Sequence, residues 1–101
     1  MASSKEFLDF VLEQCGGLSA RAMMGEYLLY YGGKVVGGVY DNRLLVKPTP
    51  SAVALIPNAP MELPYDGAKR MLLVEDIEDR ELLEKLFAAL CRELPEPKKR
   101  K

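Results

Sequence analysis

The sequence predicts an α+β two-layer sandwich, an antiparallel sheet covered by helices in the order α-βββ-α-β-α. Three observations carry this expectation. Apolar residues recur at helical spacing near both ends, at Phe7, Leu8, Val11, Leu12 and Cys15 and again at Leu82, Leu83, Leu86, Phe87, Leu90, Cys91 and Leu94. Between residues 23 and 47 the spacing shortens to two. Inside that stretch the pairs Gly32-Gly33 and Asp41-Asn42 tolerate positive φ and suit two-residue hairpin turns. Such short links force antiparallel neighbours, and amphipathic helices then need a sheet face to cover.

Each element has a local reason. Ser3 and Glu6 stand at capping-box spacing before the first helix, and Gly16-Gly17 supplies its left-handed stop. The three meander strands are expected at about 23–31, 34–40 and 43–47. Thr49-Pro50 offers an N-cap with proline at the first helical position, starting a short helix to about Leu55. Pro57, Pro60 and Pro64 keep the next segment extended and irregular. "AKRMLLV", residues 68–74, reads as a fourth strand. Asp76 or Asp79 caps the last helix, which Pro95 and Pro97 end.

A chain of 101 residues is one domain's worth, expected as a folded unit over 1–97 with a solvated, disordered basic tail, "KKRK", at 98–101. That tail holds four of the fourteen basic residues. The body keeps ten against fifteen acidic, a net −5, which argues against direct duplex DNA binding because such affinity rests on phosphate neutralisation. No apolar run approaches the ~18 residues of a membrane span, and the first residues lack the order of a secretory signal. The expected location is the cytoplasm, with no membrane association.

The residue types argue against catalysis. There is no histidine, so neither Ser19 nor Ser51 has an imidazole to activate it, and no Ser-His-Asp triad can form. Cys15 and Cys91 lie far apart on helix stripes without C-x-x-C spacing and read as buried, inert thiols, leaving no expected metal site or cofactor. "GGKVVGG" places its glycines at a hairpin turn and mid-strand rather than in a phosphate loop. The acidic run "DIEDRE" suits a helix N-terminus.

Two-residue turns assign faces to the meander. Met24, Glu26, Leu28, Tyr30, Val35, Gly37, Val39, Leu44 and Val46 share one face, expected beneath the helices. The other carries Tyr27, Tyr31, Lys34, Tyr40, Arg43 and Lys47 among aliphatic residues and Gly38, a tyrosine- and cation-rich mixture typical of a contact surface. Its readings are a homodimer interface, a solvated face with tyrosines over Gly38, a stacking platform for single-stranded nucleic acid, and a site for a protein partner or small ligand. A one-residue bulge would exchange the faces. Glu26, the carboxylate on the apolar face, is a candidate buried acid. It reads better as half of an ion pair with Arg21 or Lys47 than as the centre of a small enzyme or ligand site.

The stretch "RAMMGEYLLYYGGKVVGGVYDNRLLVKP", residues 21–48, resembles the signature of the TfoX/Sxy N-terminal domain family, carried here by Arg21, Met23, Gly25, Tyr30, Leu44 and Lys47. The likeness continues through residues 63–101, similar to the tail of short, stand-alone members. It implies a two-layer fold of the secretion-chaperone-like type, often dimeric. Full-length TfoX/Sxy proteins regulate natural competence with the cAMP receptor protein, so the likeness implies a role in transcriptional or competence-related regulation; as the motif holds no catalytic residue, that role is expected to be non-enzymatic and to run through protein contacts. The chain is expected to lack the second, helical domain of full-length TfoX/Sxy proteins.

Overall fold

Ser4, not Ser3, caps the first helix. Its Oγ accepts the Phe7 amide at 3.1 Å, so that Leu8 and Val11 fall on the inner side of α1 (Lys5–Gln14). The Ser4 amide in turn donates to Asn42 Oδ1 at 2.8 Å, tying the helix start to a hairpin turn. The computed structural model describes residues 4–23 and 26–94. Ser3, Met24, Gly25, Pro95, Pro97 and the 98–101 tail lie outside the described residues. The chain leaves α1 through Cys15 in extended backbone, φ −146°, rather than through a left-handed cap, and Gly17, at φ +94°, serves the turn that follows.

Four strands follow rather than three: β1 (Leu18–Met23), β2 (Glu26–Tyr31), β3 (Lys34–Tyr40) and β4 (Arg43–Val46). The expected strand 23–31 is thus two elements, Met23 ending β1 and Glu26 opening β2. Both two-residue turns form as predicted. Gly32, Gly33, Asp41 and Asn42 all have positive φ, and Tyr31 pairs with Lys34 and Tyr40 with Arg43. Thr49 Oγ1 accepts the Ala52 amide to start α2 (Pro50–Leu55). A two-residue β5 (Met61–Glu62), unforeseen, precedes β6 (Met71–Val74), and Asp79 Oδ1 accepts the Leu82 amide to cap α3 (Arg80–Glu93).

The strands form one antiparallel sheet in the order β1-β2-β3-β4-β6-β5, so the chain after α2 returns to pair β6 beside β4. The fold is α+β, a sheet with three helices among the described residues. Leu83, Leu86, Phe87 and Leu90 of α3 form the core with Leu8 and Val11 of α1 and with Leu29, Val36, Val39, Leu44, Val46, Leu72 and Val74 of the sheet. Gln14, the buried polar side chain there, donates Nε2–H to the Ile77 carbonyl at 2.8 Å.

The register contains a bulge that reverses part of the expected face assignment. Leu29 pairs with Gly37 and Tyr30 with Val35, which leaves Val36 as an extra residue in β3. Lys34 and Val36 before the bulge therefore share a face with Val39 after it. Tyr27, Leu29 and Tyr31 lie beneath the helices, not opposite them, and the Tyr31 ring stacks on Phe87 with centroids 6.2 Å apart. Lys34 Nζ donates to the Cys91 and Leu94 carbonyls at 2.7 and 2.9 Å, satisfying acceptors at the C-terminus of α3. The assignments of Val39, Leu44 and Val46, beyond the bulge, stand.

A second strap joins α2 to the end of α3. Glu93 accepts the Ser51 hydroxyl at 2.6 Å and the Ser51 amide at 3.0 Å, and these bonds hold its carboxyl below the ordinary range. A carboxylate whose pKa is depressed by folding contributes stability above its unfolded pKa and loses it as pH falls through the folded value. The strap therefore loosens in acid. Ser51→Ala is expected to move the Glu93 titration upward, toward the usual carboxylate value, as followed by carboxyl NMR shifts.

Candidate functional site

The bulge and the strand alternation together define the sheet face turned away from the helices. Leu28, Gly38 and Leu45 are register neighbours there, with Tyr30 beside Val35 and Tyr40 beside Arg43. In β1, Leu18 and Ala20 pack toward the core, so Ser19, Arg21 and Met23 project from this outer face. Lys47 follows the inward Val46 and also reaches it.

The segment from β5 to β6 folds over one end of this face. Arg43 fixes it: its Nη1 donates to Glu62 Oε1 at 2.7 Å and to the Leu63 carbonyl at 3.2 Å, while its Nε donates to the Tyr40 carbonyl. Pro64 is buried, and the Tyr65 ring stands over Tyr40 at 6.0 Å and 56°. Tyr40 is consequently buried although it lies on the outer face. That burial, then Tyr65 and Glu26, push its phenol up. Its ring rests on Gly38, where an added Cβ would stand 2.6 Å from Tyr40 Cε2 and 2.7 Å from the Tyr27 carbonyl oxygen. Gly38→Val is therefore expected to cost about 1–3 kcal/mol by overpacking, through the Tyr40 ring and the Tyr27 carbonyl rather than the Tyr27 ring, and thermal unfolding would read it as a lowered midpoint.

Between the sheet and this segment lies an open groove of about 480 Å³. Leu28, Val35 and Met71 give it an apolar floor, Tyr65 a wall, and Lys47, Lys69 and Arg70 a cationic lining. Leu63 and Tyr65 of the covering segment are 38% and 57% exposed, whereas Met61, 42% exposed, pairs with the inward Leu72 and so lies on the helix side of the sheet. Exposed large apolar side chains this close together mark a contact surface more often than scattered ones do.

The predicted interaction residues are thus divided. Tyr40, Arg43 and Lys47 are on the outer face, whereas Tyr27, Tyr31 and Lys34 are committed to the helices. A three-tyrosine stacking platform does not exist, because the bulge separates its members. Glu26 is corrected as well. It lies on the outer, not the helix-covered, face, half-exposed rather than buried, and its Oε1 accepts the Asp41 amide at 3.0 Å in the β3–β4 turn. Cys15 is buried and Cys91 half-buried, both as free thiols, and burial, with Glu84 nearby, pushes the Cys15 thiol up. Among the described residues, no three His, Cys, Asp or Glu side chains are grouped to hold a metal ion.

Residues 11–91 match the model of the TfoX N-terminal domain. The chain belongs to the TfoX N-terminal domain family. An uncharacterized 12.7 kDa protein in the trpE 5′ region of Spirochaeta aurantia is 38% identical over 105 residues, spanning 100% of this chain and 91% of that protein. No solved structure matches the chain.

The TfoX signature residues can now be placed on the fold. Leu44 is core, Gly25 lies outside the described residues, and Arg21, Met23, Tyr30 and Lys47 all project from the outer face. They are spread from edge strand to groove and do not converge on a point. The groove's far side was not anticipated. Tyr65 follows a proline-spaced segment with no period of its own, whereas Lys69, Arg70 and Met71 belong to the stretch read as the fourth strand, whose placement beside this face no local signal gave.

Proposed function

We propose that this TfoX-family domain is a non-enzymatic regulator of transcription, connected with natural competence, that works in the cytoplasm by binding a protein of the transcription machinery through the outer face of its sheet. The observation that carries this reading is the presence of the projecting signature residues, the exposed Tyr65 ring and the groove on that single face. The family resemblance supplies the regulatory context. No helix among the described residues is long and apolar enough to cross a membrane.

We further propose a homodimer, formed through the free edge of β1, six residues long with a single charge, Arg21. Long edges of this kind invite strand pairing, and a small domain gains buried area by it. Replacing Tyr65 with a photo-crosslinking residue tests the regulatory reading in cells. A crosslinked RNA polymerase subunit or transcription factor is the expected product, and crosslinks restricted to unrelated proteins would overturn it. Sedimentation equilibrium tests the dimer, with a monomer at tens of micromolar as the contrary result.

A further inference from the structure

The groove's charge is opposite to that of the chain around it. The body carries a net −5, yet the groove is lined by Lys47, Lys69 and Arg70 and by no described carboxylate. Three of the other basic groups are engaged within the chain: Arg43 by Glu62, Lys34 by helix carbonyls, Lys5 by Asp9. Among the described residues, nothing within the chain bonds the Lys47, Lys69 or Arg70 head groups. Three cations are thus gathered around an aliphatic floor in an acidic protein, and their complement is a ligand with an apolar anchor flanked by negative charge.

We propose that this groove binds an acidic peptide segment of a partner protein, seating one or two of its apolar side chains on Leu28, Val35 and Met71 and setting its carboxylates against Lys47, Lys69 and Arg70. The proposal rests on the protein-contact reading above and adds the chemistry of the partner. A volume of about 480 Å³ lies within the roughly 300–1,000 Å³ of ordinary binding clefts. Two other occupants fit less well. Single-stranded nucleic acid would seek several flat rings, and here the Tyr40 ring is already covered by Tyr65 and Gly38. A second copy docked face to face about a two-fold axis would bring like cations together.

The test uses the full chain and three fluorescein-labelled probes: a twelve-residue peptide of Asp and Glu with two Leu and one Phe, the same peptide with Lys replacing every acid, and an oligothymidine of equal negative charge. Anisotropy is expected to show saturable, salt-sensitive binding of the acidic peptide alone. Affinity should fall about tenfold or more in Lys69→Glu/Arg70→Glu, as loss of charge-assisted contacts implies. Both positions are exposed, so circular dichroism should show the fold kept. Val35→Glu should weaken binding from the floor, and amide shifts should cluster at Leu28, Val35 and Met71. No saturation by the acidic peptide, shifts confined to another face, or equal binding and equal variant loss with the oligothymidine would each overturn the proposal. Peptide binding without any transcription-protein crosslink would keep the groove's specificity and remove the regulatory assignment. The crosslink without peptide binding would do the reverse.

Discussion

Phe87→Ala is expected to lower stability by about 3–5 kcal/mol, enough to bring the unfolding midpoint down by upwards of roughly 12 °C in a domain of this size. Phe87 is fully buried at the centre of α3, between the sheet and the rest of the helical layer. Its ring lies 6.2 Å from that of Tyr31 with an interplanar angle of 26°. Truncation removes the apolar transfer gain and leaves a cavity that β2 and α3, each held by many other contacts, cannot close. The loss also reports on register. A double-mutant cycle of Phe87→Ala with Tyr31→Leu, measured by denaturant unfolding, should give a coupling of about 0.5–1.5 kcal/mol, the range for a ring pair. A coupling near zero would place Tyr31 on the opposite side of the sheet and return the whole tyrosine set to the outer face.

Where structure is decided locally, the sequence was legible. Asp41-Asn42 and Gly32-Gly33 adopt positive φ because those residues tolerate it and a two-residue hairpin requires it. Thr49-Pro50 starts α2 because a hydroxyl can cap where proline has no amide to lose. Asp79 begins α3 for the same reason of caps, and the stripe behind it carries Leu83, Leu86, Phe87 and Leu90 inward. The strand β1 was missed because Ser19, Ala20, Arg21 and Ala22 have no strong strand preference. Its extended form comes from pairing with β2, a partner lying beyond residues 24–25.

The candidate site was half legible for a related reason. Tyr40, Arg43 and Lys47 were grouped correctly because they lie beyond the bulge, where the turn at Asp41-Asn42 alone sets the alternation. Tyr27, Tyr31 and Lys34 were misplaced because the alternation was carried across Val36 unbroken. A mid-strand glycine is a recognised sign of a bulge or of a close backbone approach, and Gly37 was that sign. The wall contributed by Pro64 and Tyr65 had no such marker. Its place depends on the Arg43–Glu62 ion pair and on two residues of β5 pairing with β6, both long-range events.

Gly37→Ala puts the close approach of β3 and β4 to a direct test and is expected to cost about 3 kcal/mol, the upper part of the range for overpacking, lowering the midpoint by roughly 12–24 °C. A Cβ built at Gly37 meets the Leu45 carbonyl oxygen first, then Val46 Cα at 2.9 Å and the Leu45 carbonyl carbon at 3.1 Å. These are backbone atoms of β4, which is itself paired to β6 on its far side, so no rotamer change relieves the contact. Alanine restricts the unfolded chain and so returns about 0.4–1 kcal/mol, too little to offset strands forced apart in mid-sheet. Gly33→Ala is the matched comparison. At φ +83° with nothing within 4 Å of the added carbon, it bears only the left-handed penalty of about 1–2 kcal/mol. Thermal unfolding of both variants should rank Gly37→Ala clearly below Gly33→Ala. Equal midpoints would mean that β3 and β4 do not approach closely at Gly37. The pairing of Gly37 with Val46, which sets the faces of Gly38 and Tyr40 along β3, would then be wrong, and the groove built on those residues with it.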